Sequence, residues 1–178
     1  MKKAKIASGS LLYHPVHGLC RVERVTPASS SGQGGPSYSL VPKVVAKMKS
    51  RFVISEADLE VSGFHGLVSP QEANKILLFL KKSPVKKRSD AEAAPSSPRD
   101  QAWGLAQAIV SFAHEKFEAK DQRKRQALEH SAKGLVGELS CVYKFSLKKT
   151  ADRIIKSLGR PSQINPSVVS ALALAGED

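Results

Sequence analysis

Between Ser83 and Asp100 the chain reads SPVKKRSDAEAAPSSPRD, and Val85 is the only large apolar residue in it. Such a stretch has too little apolar surface to offset the entropy of ordering it. It therefore splits the chain into two parts that must each find a core. With 178 residues in all, two small domains fit better than one, and each core is modest. The apolar pattern is strand-like before the break and helical after it, so the fold class is α+β.

From Ser10 to about Leu67 the runs LCRVERV, YSLVPKVV and SRFVIS are separated by turn residues, among them TPASSSGQGGPS. Turns at this spacing suggest a small β-barrel. Pro42 falls inside the second run, and because proline cannot donate to a ladder, that strand is expected at an edge or bulged at Pro42. Just before the first run, LLYHPVHG sets His14 and His17 around Pro15. Zinc needs three or four ligands, and no carboxylate or cysteine cluster completes this pair. Gly18 has the simpler use of permitting positive φ at the turn into the strand. Cys20 and Cys141 lie far apart without a CxxC, which argues against a disulfide framework or structural zinc and points to a reducing cytosol.

Ser69-Pro70-Gln71-Glu72 is a capping box with proline at the first helical position, so a helix is expected through ANKILLFLKK with Ala73, Ile76, Leu77 and Leu80 as its stripe. Beyond the break, Ser97-Pro98 marks a second start, followed by Ala102, Leu105, Ala106, Ile109, Phe112 and Ala113 on one face. A long helix is expected from about Lys120 to Tyr143, with Leu128, Leu135, Leu139 and Val142 inward. Ser146 caps another, whose Leu147, Ala151, Ile154, Ile155 and Leu158 end at Gly159. The division is thus 1–68 for the β domain, 69–82 for a connecting helix, 83–97 for a flexible basic linker and 98–160 for the helical domain. Residues 161–178 form a tail that either packs or stays loose.

Lys plus Arg outnumber Asp plus Glu by 28 to 16, a formal charge of +12, and an anionic partner follows, nucleic acid first. The cations gather at the linker, in Lys86, Lys87 and Arg88 with Arg99 beyond, and on the long helix, in Arg123, Lys124, Arg125, His130 and Lys133. Positions 123, 126, 130 and 133 share a helical face suited to phosphates; the plainer account is a solvated face. Trp103, the only tryptophan, reads as a packing anchor rather than a base-stacking residue. No nucleophile elbow, phosphate loop or carboxylate pair is present, so an enzyme is not expected. The N-terminal basic residues meet Ser, Gly and His before an apolar run develops, unlike a signal peptide. No run approaches membrane-spanning length. A cytoplasmic monomer is expected.

The order of parts, YHPVHGLCRVERV, then FVISEADLEVSGFHGLVSPQEANKILLFL, a linker and GLVGELS, resembles the CarD/CdnL family of bacterial transcription regulators. The resemblance covers about Gly9 to Leu158, and its most specific pieces are Pro15, Gly18, the Ser69 capping box and Leu135-Val136-Gly137-Glu138-Leu139. It implies an N-terminal Tudor-like barrel, similar to one in the transcription-repair coupling factor, that holds the β subunit of RNA polymerase. It also implies a helical domain that contacts promoter DNA at the upstream edge of the melted region and stabilises the open complex, without cofactor. Arg24, Arg51 and Phe52 are the polymerase-facing candidates. Relatives place a wedge tryptophan before an Arg-Arg pair just after the linker; here that region reads Ser83-Pro84-Val85-Lys86-Lys87-Arg88. Trp103 comes later and does not inherit the wedge role.

Two other readings compete with this one. The segment LKKTADRIIKSLGRPSQINPSVVSALAL would form a helix-turn-helix that binds DNA by itself, offering Gln163 and Asn165 to the bases. A protein-only adaptor with incidental charge is the other.

Overall fold

Gly18 adopts φ +68°, the left-handed backbone that lets β1 (Leu11–His14) fold directly back into β2 (Gly18–Thr26) with His14 opposite Gly18. The computed structural model describes residues 6–27, 35–43, 51–59, 61–82, 101–114 and 121–177. The linker with Lys86, Lys87, Arg88 and Arg99, and the helix start expected at Ser97-Pro98, lie outside these residues. The chain divides into two compact units, Met1–Leu67 and Val68–Asp178.

In the first unit β2 pairs with β3 (Ser37–Pro42), β3 with β4 (Phe52–Ser55), and β1 with the short β5 (His65–Gly66), all antiparallel, in the order β4-β3-β2-β1-β5. Period-2 alternation sends Cys20, Val22, Tyr38 and Leu40 to one side, where they meet Leu12, Leu59 and Phe64. Leu59 arrives on a single helical turn, α1 (Glu56–Leu59). The register shifts between Val22 and Arg24. This bulge turns both Glu23 and Arg24 outward and returns Val25 to the core side. Two expectations are corrected. Among the described residues no pairing joins β4 to β5, so the sheet is open rather than a closed barrel. β3 is an interior strand, not an edge, and the irregularity lies in β2 rather than at Pro42. Lys43 N donates to Leu19 O, so the nitrogen of Pro42 faces the other way, toward a side that β4 has already left at the Leu40–Phe52 pair. No ladder bond is lost there.

The second unit contains α2 (Pro70–Lys82), α3 (Gln101–His114), α4 (Gln122–Tyr143), α5 (Leu147–Leu158), a 3-10 turn (Pro161–Gln163) and α6 (Pro166–Ala175). The capping box forms: Glu72 N donates to Ser69 Oγ at 3.2 Å and Ser69 N to Glu72 Oε2 at 3.3 Å. Ala73, Ile76, Leu77 and Leu80 are buried together with Ala102, Ala106, Ile109, Leu128, Leu135 and Leu139. That packing moves the division of the chain from the linker to Leu67/Val68, because α2 shares its core with the helices beyond the linker rather than serving as a connector. On α3 Leu105 and Phe112 are half-buried, and Trp103 packs edge-to-face on Phe79 of α2, centroids 5.6 Å apart. The last ten residues of α4 are its most buried part. There Glu138 is fully enclosed and accepts from Val68 N at 3.2 Å.

Ser146 caps α5 by accepting from Lys149 N, and Gly159, φ +117°, ends it. The tail packs. Asn165 caps α6 by accepting from Ser167 N, and Ile164, Val168, Ala171, Leu172 and Ala175 enter the common core against α4 and α5. The helical unit therefore extends beyond the expected limit at residue 160, since a 3.6-period stripe in VVSALALA has a groove to fill.

Candidate docking and nucleic-acid surfaces

On the first unit Arg24 of β2 and Arg51, just before β4, lie on one face of the sheet with Thr26, Ser37, Ser39 and Val53 along the same shallow groove. Glu23, beside Arg24, pairs with Arg51, its Oε2 2.7 Å from Arg51 Nη2 with both side chains exposed. Val53, 72% exposed, gives the face an apolar centre. Phe52 does not belong to it. Neighbouring residues of a strand point to opposite faces, and Phe52 packs instead on His17 at 4.4 Å and Phe64 at 5.8 Å between centroids. Two of the three polymerase-facing candidates are thus brought together and the third is turned toward the core. The outer side of β4 is a sheet edge among the described residues, with backbone groups available for a further strand.

The two histidines serve the turn. His14 Nδ1 accepts from Val16 N at 3.0 Å and His17 N at 3.2 Å, while Nε2 lies 3.0 Å from Ser62 O. A nitrogen accepting two N–H bonds carries no proton, so the proton sits on Nε2 and is donated to Ser62 O. Both ring nitrogens are thereby committed to backbone. Cys20 is fully buried, and burial pushes its thiol upward, away from the reactive thiolate.

On the second unit Arg123, Arg125, His130 and Lys133 are exposed on the first half of α4, in company with Gln126 and Glu129. Lys124 diverges. It is half-buried, its amide donates to the cap Asp121 Oδ1, and its ammonium lies 3.8 Å from Asp121 Oδ2. The basic face stops at Lys133 because Gly134, Leu135 and Val136 are all buried. Lys86, Lys87, Arg88 and Arg99 fall outside the described residues. The segment offered as a helix-turn-helix has its Asn165 side chain engaged as a cap, while α6 buries Val168, Ala171 and Leu172 and exposes Ser167, Ser170, Ala173 and Leu174. A recognition helix needs base-reading side chains on its open face, and this face has none with a charge or an amide.

A second cluster, missed in the sequence, occupies the corner between α4 and α5. The rings of Tyr143 and Phe145 stack 5.8 Å apart at 21°. Lys149 Nζ stands 4.2 Å from the Phe145 centroid, and Arg153 Cζ 4.7 Å from that of Tyr143 and 5.8 Å from that of Phe145. Tyr143 OH donates to Asn74 Oδ1 of α2 at 2.8 Å. Burial pushes this phenol upward and Arg153 partly offsets the shift, so it stays protonated as a donor. Lys144, between the rings in sequence, caps α4 in the left-handed region at φ 54°. The available signal was the interleaving of basic and aromatic residues in YKFSLKKTADRIIK. Neither a family model nor a curated protein matches the chain.

Proposed function

We propose that this chain is a transcription regulator of the CarD/CdnL kind, docking on the β subunit of RNA polymerase through its first unit and touching promoter DNA through its helical unit. The observation that carries the reading is the unlike pair of surfaces on one chain: a sheet with an open edge flanked by Arg24 and Arg51, and a helical unit with exposed cations. An open edge suits strand addition to a larger protein. Exposed Lys and Arg suit phosphates, which carry little sequence information, so polymerase supplies the location and DNA contact adds avidity. A Tudor-like β domain with its sheet open, a monomer and a cytoplasmic site are parts of this proposal; among the described residues no helix is long and apolar enough to cross a membrane.

The test is biolayer interferometry of the full chain against the β-subunit lobe of RNA polymerase from the same organism. Binding that disappears in Arg24→Glu/Arg51→Glu, with the circular dichroism of the variant unchanged, supports the reading. Absence of binding by the folded wild type rejects it.

A further inference from the structure

We propose that the principal phosphate-binding surface of the helical unit is the corner between α4 and α5, built by Lys149, Arg153 and Lys156 on the Tyr143–Phe145 platform, and that its ligand is the backbone of a nucleic-acid duplex. The inference rests on the DNA reading of this unit and moves the contact away from the face of α4 that the sequence favours.

Three features of the corner support it. Positions 149, 153 and 156 share one face of α5, and with Lys148 they leave Asp152 as the one acid on the helix. Among the described residues none of these cations is ion-paired, although Asp152 shares their face, whereas Lys124 on α4 is paired with Asp121. Next, Lys148 and Lys149 occupy the first turn of α5, where no acid is present and the cap is the neutral Ser146. The positive end of the helix dipole disfavours cations there, so the arrangement raises local positive potential against the preference of the helix. Lastly, Lys144 holds a left-handed cap position that favours glycine. Unfavourable local choices that all add or retain positive charge at one corner point to a bound anion.

The aromatic platform defines how the anion is met. Both rings already face cations, so they are not open stacking surfaces for bases. They orient Lys149 and Arg153, reducing the side-chain freedom lost on binding. The surface therefore fits the regularly spaced phosphates of a duplex, read without sequence.

The experiment is fluorescence anisotropy of the full chain with a short labelled duplex of arbitrary sequence, at salt concentrations from about 50 to 200 mM. For Lys149→Gln/Lys156→Gln, two exposed positions, affinity falls and the slope of log affinity against log salt drops by about two. Phe145→Leu keeps every charge and weakens binding several-fold; a circular dichroism melt shows at which temperatures it is folded. A slope lost in Arg123→Gln/Lys133→Gln but kept in the α5 variant overturns the proposal and leaves the DNA reading standing. A wild type with no salt-dependent binding overturns both. Tighter binding of poly-glutamate than of the duplex overturns it in favour of an acidic protein partner.

Discussion

Glu138 is a charged residue with no exposed surface, and its carboxylate accepts the amide of Val68 just ahead of α2. Removing the acceptor leaves a buried N–H unpaired, which costs about 1–3 kcal/mol. Glu138→Ala is accordingly expected to lower the unfolding free energy of the helical unit, read from its urea transition, by that amount, with Glu138→Gln, which keeps an acceptor oxygen, losing less. In the β unit the groups sensitive to alkaline pH are Cys20 and Tyr38. Burial raises the Cys20 thiol above its ordinary 9.0. Burial first, then the charge and hydrogen bond of Glu56, raise the Tyr38 phenol above 10.0. Both are raised in the folded state, so their contribution is complete below the unfolded values and is lost as pH climbs through the folded ones. Denaturant midpoints of the β unit measured from pH 8 upward should fall beyond about pH 9, and Cys20→Val/Tyr38→Phe should flatten that fall.

The helices of the second unit begin and end on local chemistry, in Ser69 with Glu72, Asp121, Ser146 and Asn165 at their starts. The exception is the end of α4, where Lys144 adopts φ 54°. A left-handed conformation costs a non-glycine residue roughly 1–2 kcal/mol. Lys144→Gly is therefore expected to raise the thermal midpoint of the helical unit by the equivalent of about 1 kcal/mol, while duplex affinity in the anisotropy assay falls through the lost cation. Stability gained without loss of affinity would show that the lysine serves only as a cap. In the sheet, the corresponding irregularity is the bulge of β2, which sets Glu23 and Arg24 side by side on the outer surface and lets Glu23 reach Arg51.

Across the whole molecule the helical unit depends on residues far apart in the chain. Val168 and Leu172 are fully buried, and each contributes on the order of 1.5–3 kcal/mol, which is a large share of a small unit's net stability. A chain ending at Arg160 is expected to lose its cooperative helical transition in circular dichroism while the β unit still unfolds as before. A helical transition of wild-type midpoint in that variant would mean that α6 only covers a core already closed. The intact chain should show two transitions, one for each unit.

What the sequence determines by itself is local. Ser69, Ser146 and Gly159 set helix ends through bonds and dihedrals spanning a few residues; Gly18 sets the first hairpin, and alternation sets Cys20 and Val22 inward up to the bulge that follows them. Trp103 reads correctly as a packing residue for the same reason, since its helical stripe is visible nearby. The opposite facing of Arg51 and Phe52 was also legible, because adjacent residues of a regular strand point to opposite faces. Tertiary structure decides the rest. Whether Pro42 harms a ladder depends on where β4 ends, whether the sheet closes depends on its two outermost strands, and whether VVSALALA packs depends on a groove made by α4 and α5. The cation-aromatic corner likewise exists only once the turn at Lys144 folds α5 back, bringing Lys149 and Arg153 over rings that precede them by several residues. Local rules act through the backbone over one or two turns of chain, whereas burial and shared surfaces are settled by which distant residues arrive to exclude water.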